Sequence, residues 1–362
     1  VPSTIRRDIG QLLIGSLPAT SIPSELRALA REFQLGGIIL FSRNIEAPEQ
    51  VAELSRDVQE LANGLPLWIS VDQEGGRVAR LRAPFTEWPP MATLGRSGDP
   101  KLATRFAAAL AAELKAVGIT LDYAPVLDIH TNPKNPVIGD RALAETAELV
   151  ATLGAAIVRG LQDNGVAACG KHFPGHGDTS VDSHLDLPIV EHPPDRLRRV
   201  EFVPFREALR ADVAFIMTAH VLVPSLDDEK PATLSQGIVQ GLLRDELGYR
   251  NVILSDDLEM KAIAKTYAVP DAAVQAIAAG CDGLLICSGN VEVQATTLEA
   301  LVHACEDGRI PYKRLEDALT RLRRVKERFL ATPVAATGAP ALRQVLGRDE
   351  HRRIADEMAR FA

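Results

Sequence analysis

The 362-residue sequence contains no run approaching the ~20 consecutive apolar residues that a membrane-spanning helix requires. Its first stretch, Val1–Ser21, also lacks the basic segment, apolar run and small-residue cleavage site of a secretory signal. Cysteine is scarce. Cys169, Cys281, Cys287 and Cys305 form no CxxC pair and no disulfide-framework spacing, so they read as buried thiols of a reducing compartment. A cytoplasmic protein without a membrane partner is the expectation. Basic charge is not in excess either: 40 lysines and arginines face 48 acidic residues, for a formal net charge of −8. That balance argues against a nucleic-acid partner, because neutralising phosphates needs a basic face.

Apolar material is plentiful, at 46% of residues, enough for one large core or two modest ones. It is arranged in short runs at Gly10–Ile14, Gly37–Phe41, Leu67–Asp72, Thr120–Pro125, Ala167–His172, Ala214–His220, Val252–Asp256 and Gly283–Cys287. These runs are nearly continuous rather than alternating, as in strands buried on both faces. Between them, Arg105–Val117, Ala144–Asp163, Ala272–Ala279 and Val291–Glu306 carry helical periodicity. Gly118, Gly165, Gly248 and Gly280 follow helical runs, where a left-handed cap favours glycine. Eight strands separated by helices indicate an α/β fold, a single (β/α)₈ TIM-type barrel. An open doubly wound sheet shares that alternation, but no GxGxxG follows the first strand. The barrel is expected over residues 1–332, and a short C-terminal helical extension over 333–362, ending in a charged helix, Arg348–Arg360.

Polar residues gather just after the strands, at Asp72, Lys171–His172, His220 and Asp256–Asp257, positions that a barrel brings to one mouth. The densest cluster is KHFPGHGDT, Lys171 to Thr179, followed by Asp182-Ser183-His184. A metal site on His172, His176, Asp182 and His184 is one reading. Histidine pairs four apart normally bind metal from a helix, however, and Pro174 with Gly175 and Gly177 excludes one. Another reading makes these histidines plain structural hydrogen-bonding groups. Lys171 opposes both, as a cation ending a buried strand that needs a partner. Asp256 in SDDLEM is the first carboxylate after its strand; as a helix N-cap it would be structural, although Ser255 or Asp257 can take that task. The third cluster is Asp72-Gln73-Glu74-Gly75-Gly76-Arg77, with Arg80 three residues on.

In this order, DQEGGRV, KHFPGHGDT with DSH, and SDDLEM closely resemble glycoside hydrolase family 3 over roughly residues 10–330. Within that family the sequence is most similar to the bacterial β-N-acetylglucosaminidases that recycle cell-wall muropeptides. The resemblance implies Asp256 as nucleophile and His184, paired with Asp182, as general acid/base. It also implies sugar-hydroxyl binding by Asp72, Arg80, Arg141, Lys171 and His172, with no metal or other cofactor. A glycan carrying β-linked N-acetylglucosamine is the implied partner. One departure is local: Ile138-Gly139-Asp140-Arg141-Ala142 keeps the arginine, where relatives often have Glu and Ser at the flanking positions.

These residue types suit the chemistry. Retention needs a nucleophile and a proton donor, about 5–5.5 Å apart when both are carboxyls. Histidine titrates near neutrality, and a neutral ring avoids a second negative charge beside the nucleophile. Asp182 would orient the ring and stabilise its cation. Lys171 and Arg141 supply charge-assisted donors to hydroxyls, and His172 a neutral donor. The alternatives are a β-glucosidase or β-xylosidase of the same family, a metal-dependent hydrolase built on His172, His176 and His184, and a non-catalytic sugar-binding barrel. The arginine-rich segment Asp195–Arg210 reads as a solvated helix face or as a contact for an acidic aglycone.

Overall fold

The computed structural model describes residues 3–179, 182, 183, 186–331 and 339–362. Eight parallel strands close a barrel: β1 (Leu13–Ser16), β2 (Gly37–Leu40), β3 (Trp68–Val71), β4 (Leu121–Asp122), β5 (Ala167–Phe173), β6 (Phe215–Thr218), β7 (Val252–Asp257) and β8 (Gly283–Leu285). Each strand pairs with its sequence neighbours, and β8 pairs with β1. Gly37–Leu40, for instance, lies in register with Trp68–Val71. The strands are buried on both faces, which is why their sequences run apolar without alternation.

The bounds of all eight strands shift from those expected, and the first and fourth show why. The first begins at Leu13 rather than Gly10, because Gly10 ends the helix Ser3–Gly10 and its Cα meets the Phe33 carbonyl; a Cβ there would lie 1.7 Å from that oxygen. The fourth shrinks from Thr120–Pro125 to Leu121–Asp122, with a single bridge, Val126 to Lys171, continuing the pairing. All four expected cap glycines have positive φ, from +74° to +124°. The helices Pro100–Ala116, Ala147–Asp163, Val269–Ala279 and Val291–Glu306 cover the barrel. Gly160 lets two of them approach, as a Cβ there would stand 2.6 Å from Ala107 Cβ.

The N-terminal ends of the strands are closed by Trp68 and Phe215, edge to face at 5.2 Å, with Phe329 of the helix Tyr312–Leu330 beside them. The C-terminal helices Ala339–Val345 and Asp349–Ala359 do not stand apart from the barrel wall. Buried Glu113 accepts hydrogen bonds from Thr86 N (2.8 Å), Thr86 Oγ1 (2.7 Å), Gly347 N (2.9 Å) and His351 Nδ1 (2.7 Å). The expected domain boundary at 332/333 falls outside the described residues. No helix among the described residues is long and apolar enough to cross a membrane.

Candidate active site

The polar ends of the strands surround a cavity of about 400 Å³ at the C-terminal mouth of the barrel. Asp72, Arg80, Arg141, Lys171, His172 and Asp256 all line it. They arrive from four different parts of the chain: the end of β3 and its following hairpin, the turn Gly139–Arg141, strand β5, and strand β7. His184 lies outside the described residues. From the same loop, Asp182 is half-buried and its neighbour Ser183 lines the cavity.

Lys171 finds the partner its burial demands. Its Nζ lies 2.8 Å from Asp72 Oδ1 and 2.6 Å from Glu74 Oε1. Glu74, 2% exposed, also takes both nitrogens of an Arg141 fork, at 2.9 and 2.8 Å. Burial alone would lower the Lys171 pKa, but Asp72 and Glu74 outweigh it and raise the net value. Burial would likewise raise Glu74, but Arg141 and Lys171 hold it far below the usual carboxylate range. The result is an ionised lattice of two anions and two cations, with Arg80 3.4 Å from Asp72 at its edge. Arg77 pairs with Asp140 at 3.1 Å, which ties the turn carrying Arg141 to the hairpin.

His172 is oriented by Asp128, a fully buried carboxylate from the loop after β4. The His172 ring Nδ1 is 2.6 Å from Asp128 Oδ2, and the backbone N–H of His176 donates to Asp128 Oδ1 at 2.6 Å. Burial would raise the Asp128 pKa, yet the neighbouring His172 and His176 lower it, so the group is an ionised acceptor. Nδ1 must therefore carry the ring proton. His172 also lines the cavity, so this contact with Asp128 sets how its ring stands in the wall.

Asp256 does not cap a helix. Its Oδ1 accepts the N–H of Asp257 at 2.8 Å, and the next helix, Lys261–Ala264, has no side-chain cap. Burial would raise its pKa, but His220, His172, the Asp257 N–H and Lys171 bring it below the ordinary value. Asp257 behaves oppositely: burial first, then the charges of Glu259 and Asp256, lift it to about 7. Two adjacent aspartates are thereby separated, one held below the ordinary carboxylate pKa and one raised to about 7. His220, at 2.8 Å from the Asp257 carbonyl oxygen, holds this turn in place.

Two of the histidines in the metal reading have ring nitrogens engaged elsewhere, and the third, His184, lies outside the described residues. His176 engages Thr179 Oγ1 through Nδ1 and Ser183 Oγ through Nε2, and His172 Nδ1 is committed to Asp128. No three His, Cys, Asp or Glu side chains among the described residues are grouped to hold a metal. The arginines of Asp195–Arg210 are absent from the cavity wall; Arg196 pairs with Glu201 at 3.0 Å and Arg198 with Glu246 at 2.8 Å, as a solvated face. Sequence reasoning missed Glu74 and Asp128. Glu74 sits two residues from Asp72 in the same motif, a usable signal. Asp128 shows only as an acid within the apolar stretch Val126–Ile129.

The model of the glycosyl hydrolase family 3 N-terminal domain matches residues 4–325. The chain belongs to glycoside hydrolase family 3. Among its relatives, β-hexosaminidase A of Pseudoalteromonas piscicida is 35% identical over 366 residues, covering 94% of this chain but 60% of that protein. This family 3 chain also superposes on a β-N-acetylglucosaminidase from Paenibacillus sp. str. FPU-7 with a TM-score of 0.93 and 45% identity, covering 98% of this chain and 68% of the other. Against NagZ from Neisseria gonorrhoeae, solved in complex with N-trifluoroacetyl-D-glucosamine, the TM-score is 0.79 and the identity 33%, with 97% of each chain covered. The chain thus spans about 60% of the length of the first of these relatives, and nearly all of the last.

Proposed function

We propose that this family 3 hydrolase is a retaining exo-β-N-acetylglucosaminidase that removes terminal β-linked N-acetylglucosamine from muropeptides or related glycans. The observation that carries the reading is the ionised Asp256 at the end of β7, lining one cavity with Asp72, Lys171 and Arg141, which buried Glu74 ties together. Such a wall of fixed charges suits sugar hydroxyls, which both donate and accept. The names of its relatives, β-hexosaminidase and β-N-acetylglucosaminidase, support the amino sugar over glucose or xylose.

In this mechanism an Asp256 oxygen attacks the anomeric carbon as the glycosidic C–O bond breaks. His184, supported by Asp182, gives its proton to the departing oxygen. Water then loses a proton to His184 and attacks the anomeric carbon, and the Asp256 carboxylate is released. His172, Lys171, Arg141, Asp72 and Arg80 hold the ring hydroxyls throughout. The raised pKa of Asp257 reduces the negative charge beside the attacking carboxylate. Four free thiols fit the reducing, cytoplasmic location proposed for it.

The test is turnover of aryl β-N-acetylglucosaminide beside aryl β-glucoside, with the product anomer followed by proton NMR. The amino sugar should be preferred and the β-anomer appear first; release of the α-anomer refutes retention. Asp256→Asn should lower kcat by at least about 10³-fold with the fold intact. Full activity of that variant would remove Asp256 from the mechanism.

A further inference from the structure

His176 is the histidine of the KHFPGHG segment that the proposed chemistry does not use. Its ring lies in the cavity wall and is almost wholly buried. Nδ1 is 2.8 Å from Thr179 Oγ1 and Nε2 is 3.1 Å from Ser183 Oγ. One imidazole therefore touches the chain on both sides of the step from KHFPGHGDT into Asp182-Ser183-His184. The residue is itself held rigidly: its N–H donates to Asp128, and its carbonyl accepts Asn135 Nδ2 at 2.8 Å. Asn135 Nδ2 also reaches Thr179 Oγ1 at 3.2 Å, and that hydroxyl lies 3.2 Å from the His176 carbonyl oxygen. In either tautomer of a neutral ring, one nitrogen donates to its hydroxyl and the other accepts, so both contacts can be hydrogen bonds at once.

Ser183 is gripped a second time. Its carbonyl accepts the N–H of Ala262 at 3.1 Å, from the helix that follows Asp256. Nearby, Asp186 N donates to the Asp182 carbonyl at 3.0 Å and Asp186 pairs with Lys265 at 3.0 Å. Ser183 is thus the point where the histidine loop and the segment after the nucleophile strand meet, and it directly precedes His184 in the chain. Burial lowers the His176 pKa to about 4, so the ring is neutral at working pH and not a proton donor to substrate.

We propose that His176 is a positioning residue, an imidazole staple that fixes Ser183 and through it supports the acid/base function proposed for the next residue in the chain, His184. This inference rests on the acid/base reading of His184. Both ring nitrogens are spent on hydroxyls that do no chemistry, which is the pattern of a fastener.

The test compares Ser183→Ala, His176→Gln and His176→Asn, with His184→Ala alongside. Gln places its amide near the Nε2 position and can still reach Ser183, whereas Asn places it near Nδ1 and reaches only Thr179. For each, kcat/KM is measured on dinitrophenyl, nitrophenyl and alkyl β-N-acetylglucosaminides, with melting temperature as the fold control. Misplacing an acid/base group should cost about 10–100-fold on the alkyl glycoside, which needs protonation, and under about threefold on the dinitrophenyl glycoside. His176→Gln should retain more alkyl-glycoside activity than His176→Asn. If His184→Ala is sensitive to the leaving group while Ser183→Ala and the His176 variants lose activity equally on all three substrates, or lose none, the staple is refuted. If His184→Ala itself shows no such sensitivity, the acid/base reading fails and the staple with it. Ser183→Ala deletes a single hydroxyl, so the proposal stays falsifiable even if the His176 variants do not fold.

Discussion

Replacing Glu74 by Gln probes the charged lattice that shapes one wall of the cavity. The substitution keeps the volume and one acceptor oxygen, but it removes a buried charge and points an amide N–H₂ at a cation. Lys171 would keep Asp72 as its only anion, and Arg141 would keep the Val137 carbonyl at 3.2 Å, with the single Gln oxygen left to divide between the two cations. Side-chain exposures of 2% for Glu74, 3% for Lys171 and 10% for Arg141 leave little water to compensate. Removing one partner of a buried ion pair costs about 3–5 kcal/mol, and the double cationic contact argues for the upper part of that range. Urea unfolding followed by far-UV circular dichroism should show a lower midpoint with an unchanged slope. The pH dependence has a definite sign. The folded pKa of Glu74 is depressed, so its stabilisation is present above the unfolded value of about 4.3 and fades as pH falls toward the folded one. The difference between wild type and variant should therefore be constant from neutrality to mild acid and shrink below about pH 4. KM for an aryl β-N-acetylglucosaminide should rise as well, because Arg141 and Lys171 lose their fixed positions. A stability loss below about 1 kcal/mol, together with an unchanged KM, would refute the lattice as the organiser of this wall.

Asp128→Asn should keep its oxygen on the backbone N–H groups and turn its amide toward His172 Nδ1, forcing the opposite ring tautomer. The expected result is a loss of about 10²-fold or more in kcat/KM, with the tautomer change visible in ¹⁵N NMR of the His172 ring. An unaltered tautomer would contradict the assignment. Glu113→Ala should strand four buried donors at about 1–3 kcal/mol for each left unsatisfied, and limited proteolysis should then release the C-terminal helices readily. An unchanged digestion pattern would show that these helices are held by other contacts. Gly177→Ala would set a Cβ 1.7 Å from the Ile129 carbonyl oxygen, on backbone that cannot yield cheaply. A loss of about 3 kcal/mol or more, or failure to accumulate folded protein, is expected; a melting temperature within a degree of wild type would contradict the close approach.

What the sequence determined by itself was local and repetitive. Continuous apolar runs mark strands buried on both faces, glycines mark helix ends, and the order of three motifs names the family, because each depends on neighbours a few residues apart. The boundaries slipped where the backbone meets distant groups, as at Gly10 against Phe33 and in the shortened β4. The charged lattice lay beyond that reach: Arg141 is 67 residues from Glu74, and Lys171 is 99 from Asp72. Only the closure of the barrel brings such pairs within 3 Å, and only that burial makes them decide each other's protonation. The same applies to Asp128, an unremarked acid in an apolar stretch until folding sets it against His172, 44 residues on. Residue type announced which groups could do chemistry. Which group carries a proton, and which merely holds another in place, was decided by tertiary contacts, because charge and hydrogen bonding act through space and not along the chain.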